Sequence, residues 1–363
     1  MVPPSLARLV DGLGPRSGLL VARDGGIVHA ELDPAAAAQG VTMGPLAEAE
    51  DGVSLLGSVA GSPDALVELA NAFVPAPALL SVPAGVTLSG PLVVVHWTGA
   101  DGGAAFPRTV VRVGEGGRAK VVELASSTDV AALVVPVVEL DVADGADLGY
   151  LGVQDLGRRV WQVAYQASRV GRDAHLRSFS VALGGHYARL RTDSRLVGQG
   201  GSTDLLAAYF GDADQMHDFR TMQDHDAPKT TSDLLFKGAV AGEARSVYSG
   251  LIRVRRGAVG TNAFQTNRNL VLSEGAHADS VPNLDIAEND VRCSHASAVG
   301  PVDEDQRYYL ESRGVPTDLA DHLIVLGFFD DILGRSPVPV LSGALRDAVA
   351  VKLAGPPAAV EVG

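Results

Sequence analysis

The chain has 363 residues, 46% of them hydrophobic, with 42 glycines, 20 prolines and few aromatics. Its formal net charge of −14 argues against general nucleic-acid binding, because a phosphate backbone selects basic surfaces. A single cysteine excludes an intrachain disulfide framework or a CxxC zinc site and suits a reducing cytosol. No apolar run approaches the ~20 residues of a membrane span. Residues 1–14 lack the apolar core of a signal peptide. A soluble, cytoplasmic protein is therefore expected, with no membrane partner.

Residues 1–100 read as an N-terminal α/β cap. Two short strands flank Asp24-Gly25, a hairpin signal. Ser62-Pro63-Asp64 predicts a helix start, with a capping hydroxyl, a first-turn proline and an acid near the positive end of the dipole. Leu66, Leu69 and Phe73 would form its apolar stripe. Strands are expected again over 79–88 and 91–97.

From about Thr109 to Gly300 one unit repeats loosely: a glycine turn, a few small or polar residues, then an alternating strand. Gly116, Gly145, Gly171 and Gly200 open four such units, and shorter steps run through Gly242, Gly257 and Gly275. A period between ~20 and 50 residues marks a solenoid or a propeller. Each unit is too short for a four-stranded blade, and no helix recurs. The fold class expected is mainly β: residues 101–300 form a β-helix with two strands per coil, stacked at ~4.8 Å. An antiparallel sandwich is the alternative.

Within 214–314, period-two alternation turns Tyr248, Ile252 and Val254 inward, and likewise Phe264, Thr266, Arg268, Leu270 and Leu272. Leu284 and Ile286 continue that face. In the last strand the phase moves to odd numbers, so Val291, Cys293 and His295 share a face. A thiol and an imidazole two residues apart on one strand suit zinc or iron–sulfur chemistry. Two ligands cannot complete a tetrahedral site, so further donors would come from elsewhere, another chain included. The plainer reading is a buried structural cysteine beside a hydrogen-bonded histidine. Arg268, if inward, needs a partner for its charge; a one-residue slip in phase would turn it out instead. His217 and His225, with Asp218, Asp224 and Asp226, resemble a metal cluster but read more simply as an acid-rich solvated turn.

After Gly300 the pattern becomes helical. Asp303 and Gln306 form a capping box, and Gly314 closes the segment. A second helix from Thr317 would bury Leu319, Leu323, Leu326 and Leu333, and a third over 341–353 would bury Leu345, Val349 and Leu353. This C-terminal helical domain, 301–363, is expected to cap the open end of the β-helix or to face a partner. There is no P-loop, GxSxG elbow or HExxH.

The segments His225-Asp-Ala-Pro-Lys-Thr, Lys237–Gly250, Gln265–Leu272, Asp290–Ala296 and Asp303–Gly314 follow one another in the order seen in a known family. Together they resemble the SufB/SufD family of iron–sulfur cluster assembly proteins, more closely the SufD branch. The resemblance implies a non-catalytic scaffold subunit with a β-helix core and C-terminal helices. It also implies a complex with a SufB-like paralogue and a SufC-like ABC-type ATPase. The two β-helices would pair edge to edge, as unpaired strands invite, and the C-terminal helices would grip the ATPase. An iron–sulfur cluster would form transiently at that interface. His295 falls on the histidine implicated in cluster formation, and Cys293 on the neighbouring cysteine of the branch. The SufB branch carries its key cysteine at about Asn267 and has glutamates where Ser294 and Ala296 stand here, so this chain resembles the partner subunit. A flavin on the assembled complex and a homodimer of the isolated chain are left open. By that resemblance, the helical arm that usually opens members is expected to be short or missing here. The rival readings are a β-helix carbohydrate-active enzyme and a self-associating structural β-helix; two tryptophans argue against the first.

Overall fold

The computed structural model describes residues 10 and 12–355. The expectations resting on residues 1–9 and 356–363, the absent signal segment among them, lie outside the described residues. The chain opens with β1 (Gly18–Arg23), β2 (Gly26–Leu32), helix α1 (Pro34–Ala38), β3 (Thr42–Pro45), helices α2 (Gly52–Leu55) and α3 (Ala65–Phe73), and β4 (Ala78–Val82). The next strands are β5 (Leu92–Thr98), β6 (Gly103–Ala105), β7 (Arg108–Val113), β8 (Arg118–Ser127), β9 (Ala132–Val134) and β10 (Val137–Val142). Then come β11 (Asp147–Asp155), β12 (Val160–Val170), β13 (His175–Ala182), β14 (Tyr187–Leu196), β15 (Ser202–Gly211) and β16 (Met216–His225). The stack ends with β17 (Thr231–Val240), β18 (Arg245–Val254), β19 (Asn262–Val271), β20 (His277–Ile286) and β21 (Arg292–Gly300). Helices α4 (Glu304–Ser312), α5 (Thr317–Leu333) and α6 (Ser342–Ala354) follow.

These strands wind into a β-solenoid of about 8 turns. One sheet has ten strands, ordered β2-β1-β5-β8-β11-β13-β15-β17-β19-β21; the other has eleven, running from β3 and β4 up to β18 and β20. Apart from the antiparallel β1–β2 and β3–β4 pairs, the ladders are parallel and in register. His175 stacks on Asp147, Ser202 on His175, Thr231 on Ser202, Asn262 on Thr231 and Arg292 on Asn262. Such stacking forces the repeat seen in the sequence, because each coil must return the chain to one rung spacing. Gly116 and Gly145 turn with φ of +66° and +67°, a conformation costly for any side chain with a Cβ.

The interior changes character along the axis. Its first coils are filled by aliphatic residues such as Leu92, Val94, Val121, Leu140, Leu148 and Leu176. Towards the C-terminal end, aromatics take over, with Tyr209, Phe219, Phe236 and Tyr248 stacked among amides and hydroxyls. The outer face of the ten-stranded sheet is also apolar, through Val93, Val122, Leu124, Leu151, Phe179, Leu206 and Phe210. Helices α5 and α6 cover it with Val325, Phe329, Ile332, Leu345 and Val349. A sheet apolar on both faces must be covered on both, and this corrects the expectation that the helices close the end of the solenoid. They lie along its flank.

Three further corrections concern which side chains are buried. In α3 the cap is Asp64, whose carboxylate accepts from the N–H groups of Leu66 and Val67. Val67 and Ala70 are buried while Phe73 is 63% exposed and stacks on Phe106. In α5 Leu319 and Leu323 are exposed, Ala320 is buried, and Val325, Phe329 and Ile332 face the sheet. In β19 the phase is the reverse of that expected: Ala263, Gln265, Asn267 and Asn269 are inward, and Phe264 and Arg268 are exposed. The interior there is polar, so hydrophobicity alone selects the wrong face.

Two lysines fasten the helices to the solenoid. Lys237 Nζ lies 2.5 Å from Asp331 Oδ2, donates to Phe328 O and sits over the Phe328 ring. Lys352 Nζ reaches Asp212 Oδ1 at 2.6 Å. Within Lys237–Gly250, Gly238 is required by the Tyr209 ring, which a Cβ at that position would overlap.

Candidate functional site: the uncovered last coil

The last coil consists of β20 and β21, which are terminal strands of the two sheets, so each offers one free edge. Parallel register carries the inward face up from the coil below. Cys293 stacks on Ala263 and His295 on Gln265, both buried, so the thiol and the imidazole point inward at the top of the stack. The odd-numbered phase expected for this strand therefore holds. Leu284 and Ile286 share the inward face of Ile252 and Val254 but, having no coil above them, are 38% and 41% exposed.

The two site residues differ in environment. Cys293 is half-buried, packed with Val291 against Ile252, Val254, Ala258 and Ala263. Burial pushes its thiol above the ordinary range, only partly offset by a hydrogen bond with the Ala263 backbone. It is thus held as a thiol, a weak ligand until a metal or a cationic partner displaces the proton. His295 is exposed. No group of three or more His, Cys, Asp or Glu side chains able to hold a metal occurs among the described residues. Cys293 and His295 alone do not fill a tetrahedral site.

The other candidates separate. The stretch read as an acid-rich turn is strand β16, whose alternation sends His217 and His225 inward and Asp218 and Asp224 outward. His225 is bonded on both ring nitrogens, to Thr230 Oγ1 and Ser232 Oγ at 2.8 Å each. His217 Nε2 meets Gly184 O at 3.3 Å. Burial lowers both imidazoles to about 4, with the Lys352 charge adding to the effect at His217. Asp224 is gripped by Arg255 through two hydrogen bonds. These are structural groups, and they do not converge on a metal.

Sequence reasoning missed the polar network beneath the open coil. Asn267 donates to Tyr209 OH at 3.0 Å, Tyr209 to Asn269 Oδ1 at 2.6 Å, and Asn269 back to Asn267 Oδ1 at 2.8 Å. Asn267 is fully buried and closes this ring. The signal was present in the alternating amides of Gln265-Thr-Asn-Arg-Asn, which an apolar pattern search reads as the solvent face.

A family model described as the SUF system FeS cluster assembly, SufBD core domain, matches residues 96–328. The chain is 37% identical to the iron-sulfur cluster assembly SufBD family protein of Mycobacterium tuberculosis, over 74% of this chain and 66% of that protein. It is 29% identical to the iron-sulfur cluster assembly protein SufD of Escherichia coli, covering 74% and 62%, and to SufD of Bacillus subtilis, covering 75% and 63%. It thus spans just under two thirds of the length of these relatives. On these matches and on the solenoid they fall upon, the chain belongs to the SufB/SufD family of iron–sulfur cluster assembly proteins, in its SufD-like branch.

Proposed function

We propose that this protein is the SufD-like scaffold subunit of a SufBCD-type assembly complex and performs no catalysis of its own. It pairs with a SufB-like subunit along β20 and β21, and its C-terminal helices bind a SufC-like ATPase. We read it as three units, 1–100, 101–300 and 301–363, acting in the cytoplasm. The iron–sulfur cluster is cargo, assembled at the seam, with His295 as ligand or base and Cys293 in a lesser role. The observation that supports this most directly is the exposed, inward-pointing His295 on a coil with two free edges. Val281 on β20 and Val299 on β21 are exposed and add apolar area that a partner would cover.

The test is cluster yield from the reconstituted complex carrying His295→Ala. A marked loss is expected, and an unchanged yield removes His295 from the mechanism. Co-purification separates the rival: a heteromer with an ATPase supports the scaffold, whereas a solitary homodimer through the same edges favours a self-associating structural protein.

A further inference from the structure

Under the last coil the buried amides of Asn267 and Asn269 are matched in their ring with Tyr209. Gln265 is different. It is 1% exposed, and neither its Oε1 nor its Nε2 has a hydrogen-bond partner. A buried carboxamide left so costs ~1–3 kcal/mol per unmatched group, and calls for a reason beyond packing. Room is kept for it by Gly250, where a Cβ would run into the Gln265 amide and the Tyr248 hydroxyl.

Two groups beside it have unused capacity. Gln223 Oε1 is buried without a partner, and Gln223 Nε2 donates to the backbone oxygen of Phe264, which brings that side chain next to Gln265. On the other side, His295 is the register partner of Gln265 on the final coil. Both side chains point inward, one above the other at the ~4.8 Å spacing of neighbouring strands.

We propose that Gln265 is a positioning residue for His295. Its Oε1 accepts the ring Nδ1–H, its Nε2 donates to Gln223 Oε1, and the imidazole is left with its Nε2 lone pair facing the uncovered side of the coil. Rotation of one amide and one exposed ring makes the contact. A carbonyl on Nδ1–H fixes the tautomer and the ring orientation of a ligating histidine. An amide does this without bringing a charge into a buried position, where a carboxylate would pay for desolvation. The functional part of this inference rests on His295 acting at the interface; the geometric part does not.

The test separates the two. In the full chain labelled with 15N-histidine, ring nitrogen–proton couplings give the His295 tautomer, assigned by its loss in His295→Gln. Nδ1–H is expected in the parent protein and in Gln265→Glu, which keeps the acceptor, with reversion to Nε2–H in Gln265→Leu. If His295 carries Nε2–H in the parent, or Gln265→Leu leaves the tautomer unchanged, the proposal is wrong. Gln265→Met provides the same comparison should the leucine variant not fold. In the reconstituted complex, Gln265→Leu should lower cluster yield about 10-fold, the scale on which groups behind a ligating histidine act. Should His295→Ala leave yield intact while the tautomer still depends on Gln265, the functional reading fails and the positioning stands.

Discussion

Replacing Glu139 tests whether the N-terminal segment is held to the solenoid by one buried carboxylate. Glu139 is fully buried on β10 and accepts from the backbone N–H groups of Gly57, Val59 and Ala60, each at 2.8 Å. Its Oε1 also takes Arg108 Nε at 3.2 Å and Nη2 at 2.6 Å. Arg108 is 2% exposed and has one further partner, Asn71, at 2.9 Å. Glu139→Gln keeps the volume but leaves a buried guanidinium without its counter-charge, a change that costs ~3–5 kcal/mol. It also brings an NH2 group against an N–H donor. Against a domain stability of about 5–15 kcal/mol this is a large fraction. Glu139→Ala should cost more still, since three backbone donors lose their acceptor at ~1–3 kcal/mol each and the losses do not simply add. Replacing Arg108 and Glu139 together by apolar residues should recover only part of the loss, because the three N–H groups remain unmatched. Urea unfolding measures all three variants. A midpoint for Glu139→Gln that corresponds to less than ~1 kcal/mol would refute the reasoning, since that is the scale of an exposed pair.

Gly238→Ala should destabilise by ~3 kcal/mol, the upper end of overpacking, because Tyr209 is tied to Asn267 and Asn269 and cannot move aside; an unchanged melting temperature would show that the ring yields. Acid should weaken the fold through His217 and His225, held at about 4 by burial. Both are neutral in the folded chain above that value, whereas the unfolded chain protonates them below ~6.5, so stability is full above pH 6.5 and falls towards pH 4. The loss reaches ~3 kcal/mol per histidine. A melting temperature flat between pH 7 and 4.5 would contradict it. Alkylation of Cys293 by iodoacetamide should be slow at neutral pH and rise only in alkali, because burial keeps the thiol protonated; an inflection near pH 7 would mean that another group activates it.

Much of this architecture was legible because parallel stacking imposes a period, and glycine turns such as Gly116 and Gly145 mark it. The helix cap at Asp303 was equally readable, since Asp303 accepts from Gln306 N–H at 3.0 Å; the return bond from the Gln306 side chain that would complete a capping box is not made. The face of β19 was not. Alternation fixes two sets of residues but not which set is inside, and here the inside takes the amides because Tyr209 supplies them with a hydroxyl. The position of α5 was also hidden, because Leu319 and Leu323 are as apolar as the residues that are buried. Only the outer face of the ten-stranded sheet shows where α5 rests. At the site, the pairing of Cys293 with His295 was readable from spacing, whereas Gln265 becomes conspicuous only once its neighbours' hydrogen bonds are known.

The join between the two final strands acts as a frame setter. Residues 287–291 carry the chain from one sheet to the other, and Arg292 N–H locks onto Thr261 O at 2.9 Å as the new strand begins. Because neighbouring side chains alternate in direction, dropping a single residue from that crossing would invert everything after it. Ser294 and Ala296 would then look down the bore while the imidazole faced outward. Family members that differ in the length of this crossing should therefore change it by two residues at a time, or repair the frame with a bulge.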